Sequence, residues 1–341
     1  MGLVPTVPLP DDLRAALADQ LRSTAPSSAS AQVERLIESY RGTTPTAVPV
    51  LRDAADVAAY AAYRMPATYA AVRTALDAFR LQAGDWAPHT HLDLGGGTGA
   101  ATWAVADAWE DAGHRSTVLD WSQAALTLGA ALAEAAHTPA VRDAAWTRQP
   151  LGAAARLPQA DLVTVSYVLG ELTAADRESL VTAAAQAAGG AVVVVEPGTP
   201  QGFARVLDAR DRLIAAGLHV LAPCPHDAGC PVTGDDWCHF AARVQRTALH
   251  RQVKGASLPY EDEKFSYVAA ARFPAEPAVA RVVRHPQIRK GLVLLDLCER
   301  PPGLARTTVS KRQGTTYRAA RDTDWGDPWP PDLPPAEGAS A

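Results

Sequence analysis

HLDLGGGTGAATWA, residues 91–104, joins a short strand-like run to a glycine-rich turn and then to an alanine-rich helical stretch. Glycines at positions 95, 97 and 99 allow a tight turn and a close approach of the backbone to a ligand. The helix that follows offers free backbone amides at its N-terminus. Asp93 precedes these glycines, and Asp120 ends the next predicted strand 21 residues after Gly99. This arrangement predicts a ligand-binding loop at the carboxyl edge of an α/β sheet.

The acidic residue before the glycines discriminates between ligands. A carboxylate is unfavourable beside a pyrophosphate but suits a cationic ligand without phosphate, and Asp120 can accept hydrogen bonds from ribose hydroxyls. The loop therefore resembles the motif of class I S-adenosylmethionine (SAM) methyltransferases more than a dinucleotide fingerprint. A nicotinamide or flavin nucleotide and a purely structural turn are the alternatives. The residues predicted to bind SAM are Asp93, Gly95, Gly97, Gly99 and Asp120.

Strand-like runs around this loop indicate a parallel sheet. HLDL, STVLD, DLVTVSYVL and AVVVVEPG alternate with alanine-rich helical stretches, as in strands joined by crossover helices. Before them, apolar residues recur at spacings of three and four, which predicts helices interrupted at Pro26, Pro45 and Pro66. We expect an α/β, Rossmann-like doubly wound sheet in five parts: an N-terminal helical region (1–85), a methyltransferase core with the SAM site (86–217), an inserted cysteine-rich, basic and aromatic segment (218–290), C-terminal strands that complete the core (291–321), and an acidic, proline-rich, mostly extended tail (322–341).

Composition places the chain among globular proteins with a buried core, since 48% of its 341 residues are hydrophobic and 20% are charged. The longest aliphatic run, 191–195, is far shorter than the ~20 apolar residues of a membrane-spanning helix, and residues 1–10 lack the basic start of a secretory signal. These features predict a cytoplasmic protein without a membrane segment. The net charge of −5 is uneven, because residues 243–321 carry 16 basic and 6 acidic side chains. That excess predicts a polyanionic partner.

The four cysteines are concentrated late in the chain. Cys224, Cys230 and Cys238 lie within 15 positions, Cys298 follows, and the first 223 residues contain none. A reducing compartment disfavours disulfides, and neither local gap matches the short knuckle of a zinc site. Four thiolates can hold a [4Fe-4S] cluster, which we predict here. The alternatives are Zn²⁺, with His226 or His239 replacing one thiolate, and cysteines without a metal.

Basic and aromatic residues alternate after the third cysteine, as in proteins that bind nucleic acid through phosphate contacts and base stacking. The alternative is a solvated basic face over a small aromatic core. The acidic run at 261–263 is expected to pair with neighbouring arginines. The residues predicted to bind RNA are Arg243, Arg246, Arg251 and Lys254.

Three side chains just past predicted strand ends are candidates for catalysis: Tyr167, Glu171 and Glu196. Glu171 or Glu196 could act as a base, whereas the alternative reading is that all three are capping or sheet-edge residues. The chain lacks both the Pro-Pro-aromatic motif of many base-amine methyltransferases and a cysteine nucleophile in the part of the predicted sheet before position 224.

Several motifs together resemble one family. PCPH, CP, WCHF, EDEKFSY and the late Cys298, all following LDLGGGTG, are similar to the methyltransferase-like family of mitochondrial and bacterial small ribosomal subunit assembly factors, over about residues 66–325. The resemblance implies a class I methyltransferase fold with an inserted iron-sulfur site. It also implies binding to small-subunit ribosomal RNA (rRNA) within a pre-30S particle, without DNA or membrane partners. Carried over by position, all four cysteines would be cluster ligands, while Gly95, Gly97, Gly99 and Asp120 would line the SAM site.

Three functions are therefore compared below. The first is SAM-dependent methylation of rRNA, the second is a non-catalytic scaffold that binds rRNA, and the third is a small-molecule methyltransferase, which the basic excess disfavours. Residues 1–10 lack an Arg- and Ser-rich presequence, which predicts a bacterial, cytoplasmic member of the family.

Overall fold

The structure, a computed structural model, describes residues 6–21, 33, 54–110, 112–152, 157–247, 251 and 258–331. Its larger sheet contains eight strands: β1 (Thr90–Leu94), β2 (Arg115–Asp120), β3 (Ala145–Arg148), β4 (Ala160–Ser166), β5 (Ala188–Pro197), β6 (His219–Ala222), β7 (Phe240–Gln245) and β8 (Tyr260–Ala271). They lie in the order β3-β2-β1-β4-β5-β8-β6, and β7 pairs with the part of β8 that β6 leaves free. Strands β1 to β5 are parallel, whereas β8 runs antiparallel between β5 and β6. This order, with its antiparallel strand before the edge, confirms the class I methyltransferase-like α/β fold.

Both faces of this sheet are covered by helices, as expected for strands made of unbroken apolar runs. Residues 191, 193 and 195 of β5 pack into one core and residues 192 and 194 into the other. The helices of this part are α1 (Asp11–Leu21), α2 (Ala54–Ala83), α3 (Ala100–Ala108), α4 (Gln123–Ala133), α5 (Pro139–Arg142), α6 (Ala174–Ala187) and α7 (Pro200–Ala215). The first core takes side chains from α1, α2, α3 and α4, and the second takes them from α6 and α7.

The predicted break at Pro66 is wrong, because Pro66 lies inside the 30-residue helix α2. A proline inside a helix costs about 3 kcal/mol. The neighbouring side chains of Met65, Ala67, Tyr69 and Ala70 are all buried against the sheet, and this packing outweighs the local cost. The predicted breaks at Pro26 and Pro45 lie outside the described residues.

A second, five-stranded antiparallel sheet follows the first. It contains β9 (Ala280–Val282), β10 (Gln287–Arg289), β11 (Leu292–Glu299), β12 (Gly303–Ser310) and β13 (Pro328–Trp329), with helix α8 (Thr315–Asp322) packed against its small core. The prediction that residues 291–321 complete the core sheet is therefore wrong. Strand β11 alternates between buried and more exposed positions, which is the pattern of a sheet with one buried face and not of a strand covered on both sides.

The core sheet is completed instead by β8, which lies within the predicted insertion at 218–290. The strand begins with the charged residues EDEK, which are not typical of a core strand, but its second half is buried throughout. Strand β6 also belongs to the core sheet, so the inserted part within the described chain lies between β6 and β8. The start of the predicted extended tail is docked, since Trp329 pairs with Ala280 and is buried, while residues 332–341 lie outside the described range.

None of the described helices combines the length and the apolar character needed to cross a bilayer.

Candidate functional site

The glycine loop folds over the carboxyl end of β2, where the backbone N–H of Gly95 donates to Leu119 O at 2.8 Å. Gly95, Gly97 and Gly99 all have positive φ angles, of 68°, 53° and 84°. A Cβ atom at Gly95 would lie 2.5 Å from Val168 Cγ2, and one at Gly99 would lie 2.6 Å from the ring of Trp146. At Gly97 the nearest atom would be Asp120 Oδ2, at 3.9 Å. Gly97 is therefore the glycine of the three that leaves open space for a ligand.

Asp93 lies beneath the backbone of the glycine loop, inside the protein, and does not face the space available to a ligand. Its carboxylate is fully buried and accepts hydrogen bonds from Thr164 Oγ1 at 2.9 Å and Thr102 Oγ1 at 3.1 Å. Burial, opposed by these two hydroxyls, raises the pKa of Asp93 to about 6. A Cβ atom at Gly96 would lie 2.5 Å from Asp93 Oδ2, so the loop backbone covers the carboxylate directly.

Asp120 is joined to the loop itself. Its Oδ2 accepts the N–H of Gly97 at 3.0 Å and its Oδ1 accepts the N–H of Ser122 at 2.7 Å. Burial raises the pKa of Asp120, although these backbone donors favour the charged form. The carboxylate predicted to bind ribose thus stands at the end of β2 against Gly97.

A cleft of about 610 Å³ opens beside the loop, a size that suits a small-molecule cofactor. Val168, which contacts Gly95 closely, forms part of its wall. Trp121 directly follows Asp120, is 45% exposed and offers a flat apolar surface in the cleft. Sequence reasoning missed this tryptophan, although its position after the predicted ribose ligand was a usable signal. The charged side chains that line the cleft are Arg148, Glu171 and Asp176.

Of the three catalytic candidates, Glu171 lines this cleft. Burial, followed by the charges of Asp120 and Glu196, raises the pKa of Glu171 to about 7. Glu196 is fully buried, and its carboxylate accepts hydrogen bonds from Arg205 Nε at 2.6 Å and from the backbone N–H of Leu169 at 2.9 Å. Its geometry is that of a structural carboxylate.

Tyr167 belongs to a three-residue cluster that sequence reasoning missed. Its hydroxyl donates to Glu263 Oε1 at 3.0 Å, and Arg64 from α2 bonds the same carboxylate at 3.0 Å while lying over the tyrosine ring. Tyr167 also has a positive φ of 57°, which is unusual outside glycine. The cluster ties α2 to β8 and engages the phenol, so Tyr167 is held away from the cleft.

The four cysteines line a single cavity. Cys224, Cys230 and Cys238 come from the loop 223–239, whose two ends are fixed because β6 and β7 both pair with β8. Cys298 comes from β11 of the second sheet. Within the described part of the chain, no three His, Cys, Asp or Glu side chains are close enough to share one metal ion.

Burial and mutual proximity raise the pKa of three of these thiols, those of Cys224, Cys238 and Cys298. Burial, and then the neighbouring Cys224 and Cys230, raise the pKa of Cys298 to about 12. The pKa of Cys238 is raised by burial and by the other three cysteines. His226 Nε2 lies 3.8 Å from Cys298 Sγ, whereas His239 stacks on Trp237. Of the two histidines considered as zinc ligands, His226 is the one in contact with a cysteine.

Two buried arginines lie beside the cavity: Arg210 is paired with Asp211 at 2.9 Å, whereas Arg281 has no bonded acid among the described residues. Arg281 from β9 is 1% exposed and donates to the carbonyl oxygens of Pro223 and Gly326, and its Nη2 has no partner among the described residues. Arg210 from α7 is 3% exposed, holds the carbonyl oxygens of His226 and Ala228, and has an unpartnered Nε. Both positive charges act on Cys224. Buried charges of this kind are costly without a nearby anion.

The predicted RNA-binding arginines are largely engaged with acids of β8. Arg243 forms a two-pronged ion pair with Asp262 at 2.8 and 3.0 Å, and Arg246 pairs with Glu261 at 3.4 Å. The predicted pairing of the acidic run with arginines is thus confirmed. Arg251 donates to the backbone oxygen of Arg246, and Lys254 lies outside the described residues. The interleaved aromatic rings of Phe240, Phe265 and Tyr267 are buried in the core and cannot stack on bases.

Comparison with protein families gives one matching family model, described as mitochondrial small ribosomal subunit Rsm22, over residues 54–330. The human mitochondrial ribosome assembly protein METTL17 is 31% identical over 290 residues, which cover 79% of this chain and 61% of that protein. The mitochondrial Rsm22-cox11 tandem protein 2 of Schizosaccharomyces pombe is 26% identical over 185 residues, covering 42% of this chain and 25% of that protein. The chain therefore spans less than two thirds of the length of these relatives.

Solved structures with the same general architecture are more distant. Magnesium protoporphyrin IX methyltransferase from Synechocystis, solved with bound SAM, has 15% sequence identity and a TM-score of 0.40, with 79% of this chain and 100% of that chain covered.

Proposed function

The chain belongs to the Rsm22 family of mitochondrial small ribosomal subunit proteins, and on that premise we propose that it acts in assembly of the small subunit by binding its rRNA. The observation that carries this proposal is the family match across residues 54–330, which includes both sheets and the loop between them. Crosslinking of the protein to cellular RNA tests it, and we expect reads from small-subunit rRNA. A bacterial, cytoplasmic location stays a prediction, and the curated relatives carry mitochondrial names.

We further propose that the cleft holds SAM. Gly97 faces open space, Asp120 stands beside it, and Trp121 offers a surface on which an adenine ring can stack. Acidic side chains outnumber the single Arg148 in the cleft lining, which suits the positively charged sulfonium better than a pyrophosphate. Calorimetry with SAM and with NADH separates these ligands.

Affinity for SAM should increase as the pH rises from 6 to 8, because Glu171 ionises in this range and its negative charge attracts the cationic ligand. We expect a gain of about 1 kcal/mol, roughly fivefold in affinity. The measurement is calorimetry across this pH range with the wild type and Glu171→Gln. The variant supplies the control, since SAM's own titration is common to both proteins. Equal pH profiles for the two proteins would place Glu171 outside the site.

Methyl transfer to rRNA is a second candidate function, and Glu171 is the residue that favours it. A carboxylate with a pKa near 7 in an open cleft can accept a proton at neutral pH. Transfer of labelled methyl groups from SAM to small-subunit rRNA tests this activity. The methyltransferase function is supported if Glu171→Gln loses methyl transfer while it still binds SAM at pH 6. If the wild type transfers no methyl group, the protein acts as a non-catalytic scaffold that binds rRNA.

For the cysteine cavity we propose a [4Fe-4S] cluster held by Cys224, Cys230, Cys238 and Cys298. Two observations support this assignment. The four thiols line one cavity, which matches the four thiolates that such a cluster requires. Arg281, which has no bonded acid among the described residues, places a buried positive charge near Cys224 that four thiolates and their metal would balance. When bound, the cluster supplies a structural link or a one-electron redox centre.

Arg281→Met should weaken retention of the cluster, because it removes a buried positive charge that acts on Cys224 and a donor to Pro223 O in the cysteine loop. We expect more than half of the iron to be lost during anaerobic gel filtration, and a lower reduction potential for the cluster that stays. Arg281→Lys keeps the charge and should retain more iron than the methionine variant. Iron content and potential unchanged in Arg281→Met would show that the arginine is only a structural donor.

A further inference from the structure

Four basic side chains gather at one end of the second sheet, and two more follow on helix α8. Arg289 ends β10 opposite Leu292, and Ser310 at the end of β12 also pairs with Leu292. The backbone N–H of Lys311 then donates to Gly291 O at 2.9 Å, which brings the β10–β11 turn against the segment after β12. This end of the sheet therefore carries Arg289, Lys290, Lys311 and Arg312, all of them exposed.

Helix α8 begins three residues after Arg312 and carries two more exposed cations. Tyr317 and Ala320, three residues apart, pack against the small core of the second sheet. Arg318 and Arg321 have the same spacing one position later, so they share the exposed side of the helix. We name the six residues the cationic end: Arg289, Lys290, Lys311, Arg312, Arg318 and Arg321.

The cationic end differs from the arginines of β7 in how its charge is balanced. Arg243 and Arg246 are paired with acids of β8, whereas the members of the cationic end form no ion pair with any described acid. Arg289 bonds the side chain of Gln287, and the nearest acid of the second sheet, Asp296, is bonded to Arg306. Asp322 at the end of α8 is the acid that stands closest in sequence to these cations. The cationic end therefore carries positive charge of residues 243–321 that no described acid neutralises.

The chemistry of this surface indicates which form of nucleic acid it suits. Binding of single strands relies on exposed rings that stack on bases, and Tyr317 of α8 packs into the core instead. Exposed cations without such rings suit the regular phosphate rows of a helix. We propose that the cationic end binds the phosphate backbone of double-helical RNA, which rests on the proposed function and locates its RNA contact.

Binding of a 20-base-pair RNA duplex, a 20-residue poly-U strand and a small-subunit rRNA transcript tests the proposal. Each phosphate contact contributes a slope of about 0.7 to 0.9 in the logarithmic dependence of affinity on salt. K311Q/R312Q should therefore reduce the slope by about 1.5 and weaken duplex binding about 20-fold near 0.15 M salt. R80Q/R115Q removes two exposed cations, one in α2 and one in β2, and should change neither, and K311R/R312K should bind as the wild type does.

The outcomes separate this inference from the proposed function. A wild-type protein that fails to bind the rRNA transcript overturns the proposed function and this inference with it. If K311Q/R312Q binds the transcript as tightly as the wild type does, with an unchanged melting temperature and salt slope, the proposed role of the cationic end is wrong and the proposed function stands. Tighter binding of poly-U than of the duplex would overturn the assignment to double-helical RNA.

Discussion

Replacing Cys230 or Cys298 with serine should bleach the protein purified without oxygen, from about four irons per chain to nearly none. Cys230 belongs to the loop 223–239 and Cys298 belongs to β11 of the second sheet. The two substitutions therefore remove one ligand from each side of the proposed cluster. Loss of the metal leaves the buried charge of Arg281, which has no bonded acid among the described residues, beside the thiol of Cys224. Because metal binding is coupled to folding, the cysteine loop should also become sensitive to protease.

Iron analysis, visible absorption and limited proteolysis check this prediction. Val232→Ala is the matched control, since Val232 lines the same cavity but has no metal-binding atom. A colourless wild type with one zinc per chain contradicts the cluster, and proteolysis of the loop at the same rate with and without metal contradicts its structural role.

Gly97→Val should lower the affinity for SAM at least 100-fold while the protein stays folded. The nearest protein atom to a Cβ at this position would be Asp120 Oδ2, at 3.9 Å, so a valine would extend into the space beside Asp120 that we propose for the ligand. The positive φ of 53° costs a β-branched residue about 1 to 2 kcal/mol of stability, which a domain of this size tolerates. Loss of binding would therefore come from the space filled beside Asp120.

Gly84→Val separates strain from blockage. Gly84 has nearly the same φ, 61°, and a Cβ atom there would have no neighbouring atom within 4 Å. It directly follows α2 and does not line the cleft. Both variants should lose similar stability in thermal unfolding, and calorimetry should show full SAM binding for Gly84→Val alone. Equal affinities in the two variants would remove Gly97 from the proposed site.

The proposed cluster would join the two sheets. Three ligands belong to the loop between β6 and β7, and Cys298 belongs to the sheet that carries the cationic end. Arg281 reinforces this junction, because it extends from β9 to the carbonyl oxygen of Pro223. Removing the metal should therefore affect RNA binding through the placement of the second sheet, with no change in any basic side chain.

Local sequence patterns predicted the elements whose causes are local. The apolar runs of β1, β2, β4 and β5 form buried parallel strands, and the glycines after β1 form the turn they predicted. The concentration of cysteines likewise predicted that they gather at one site, and all four line one cavity. These features depend on residue type and spacing over a few positions, so the sequence displays them directly.

Only the tertiary structure decided which segments join which sheet and which charges are free. The EDEK start of β8 concealed the strand that completes the core sheet, because its partners β5 and β6 are distant in sequence. The pairing of the neighbouring strands β7 and β8 engages Arg243, whereas the cationic end has no ion pair with a described acid, although both lie in one basic stretch. Arg281 gave no sequence signal at all, since its role follows from burial beside Cys224. Net charge and periodicity are sums over the chain, whereas pairing and burial depend on contacts that form only when distant residues meet.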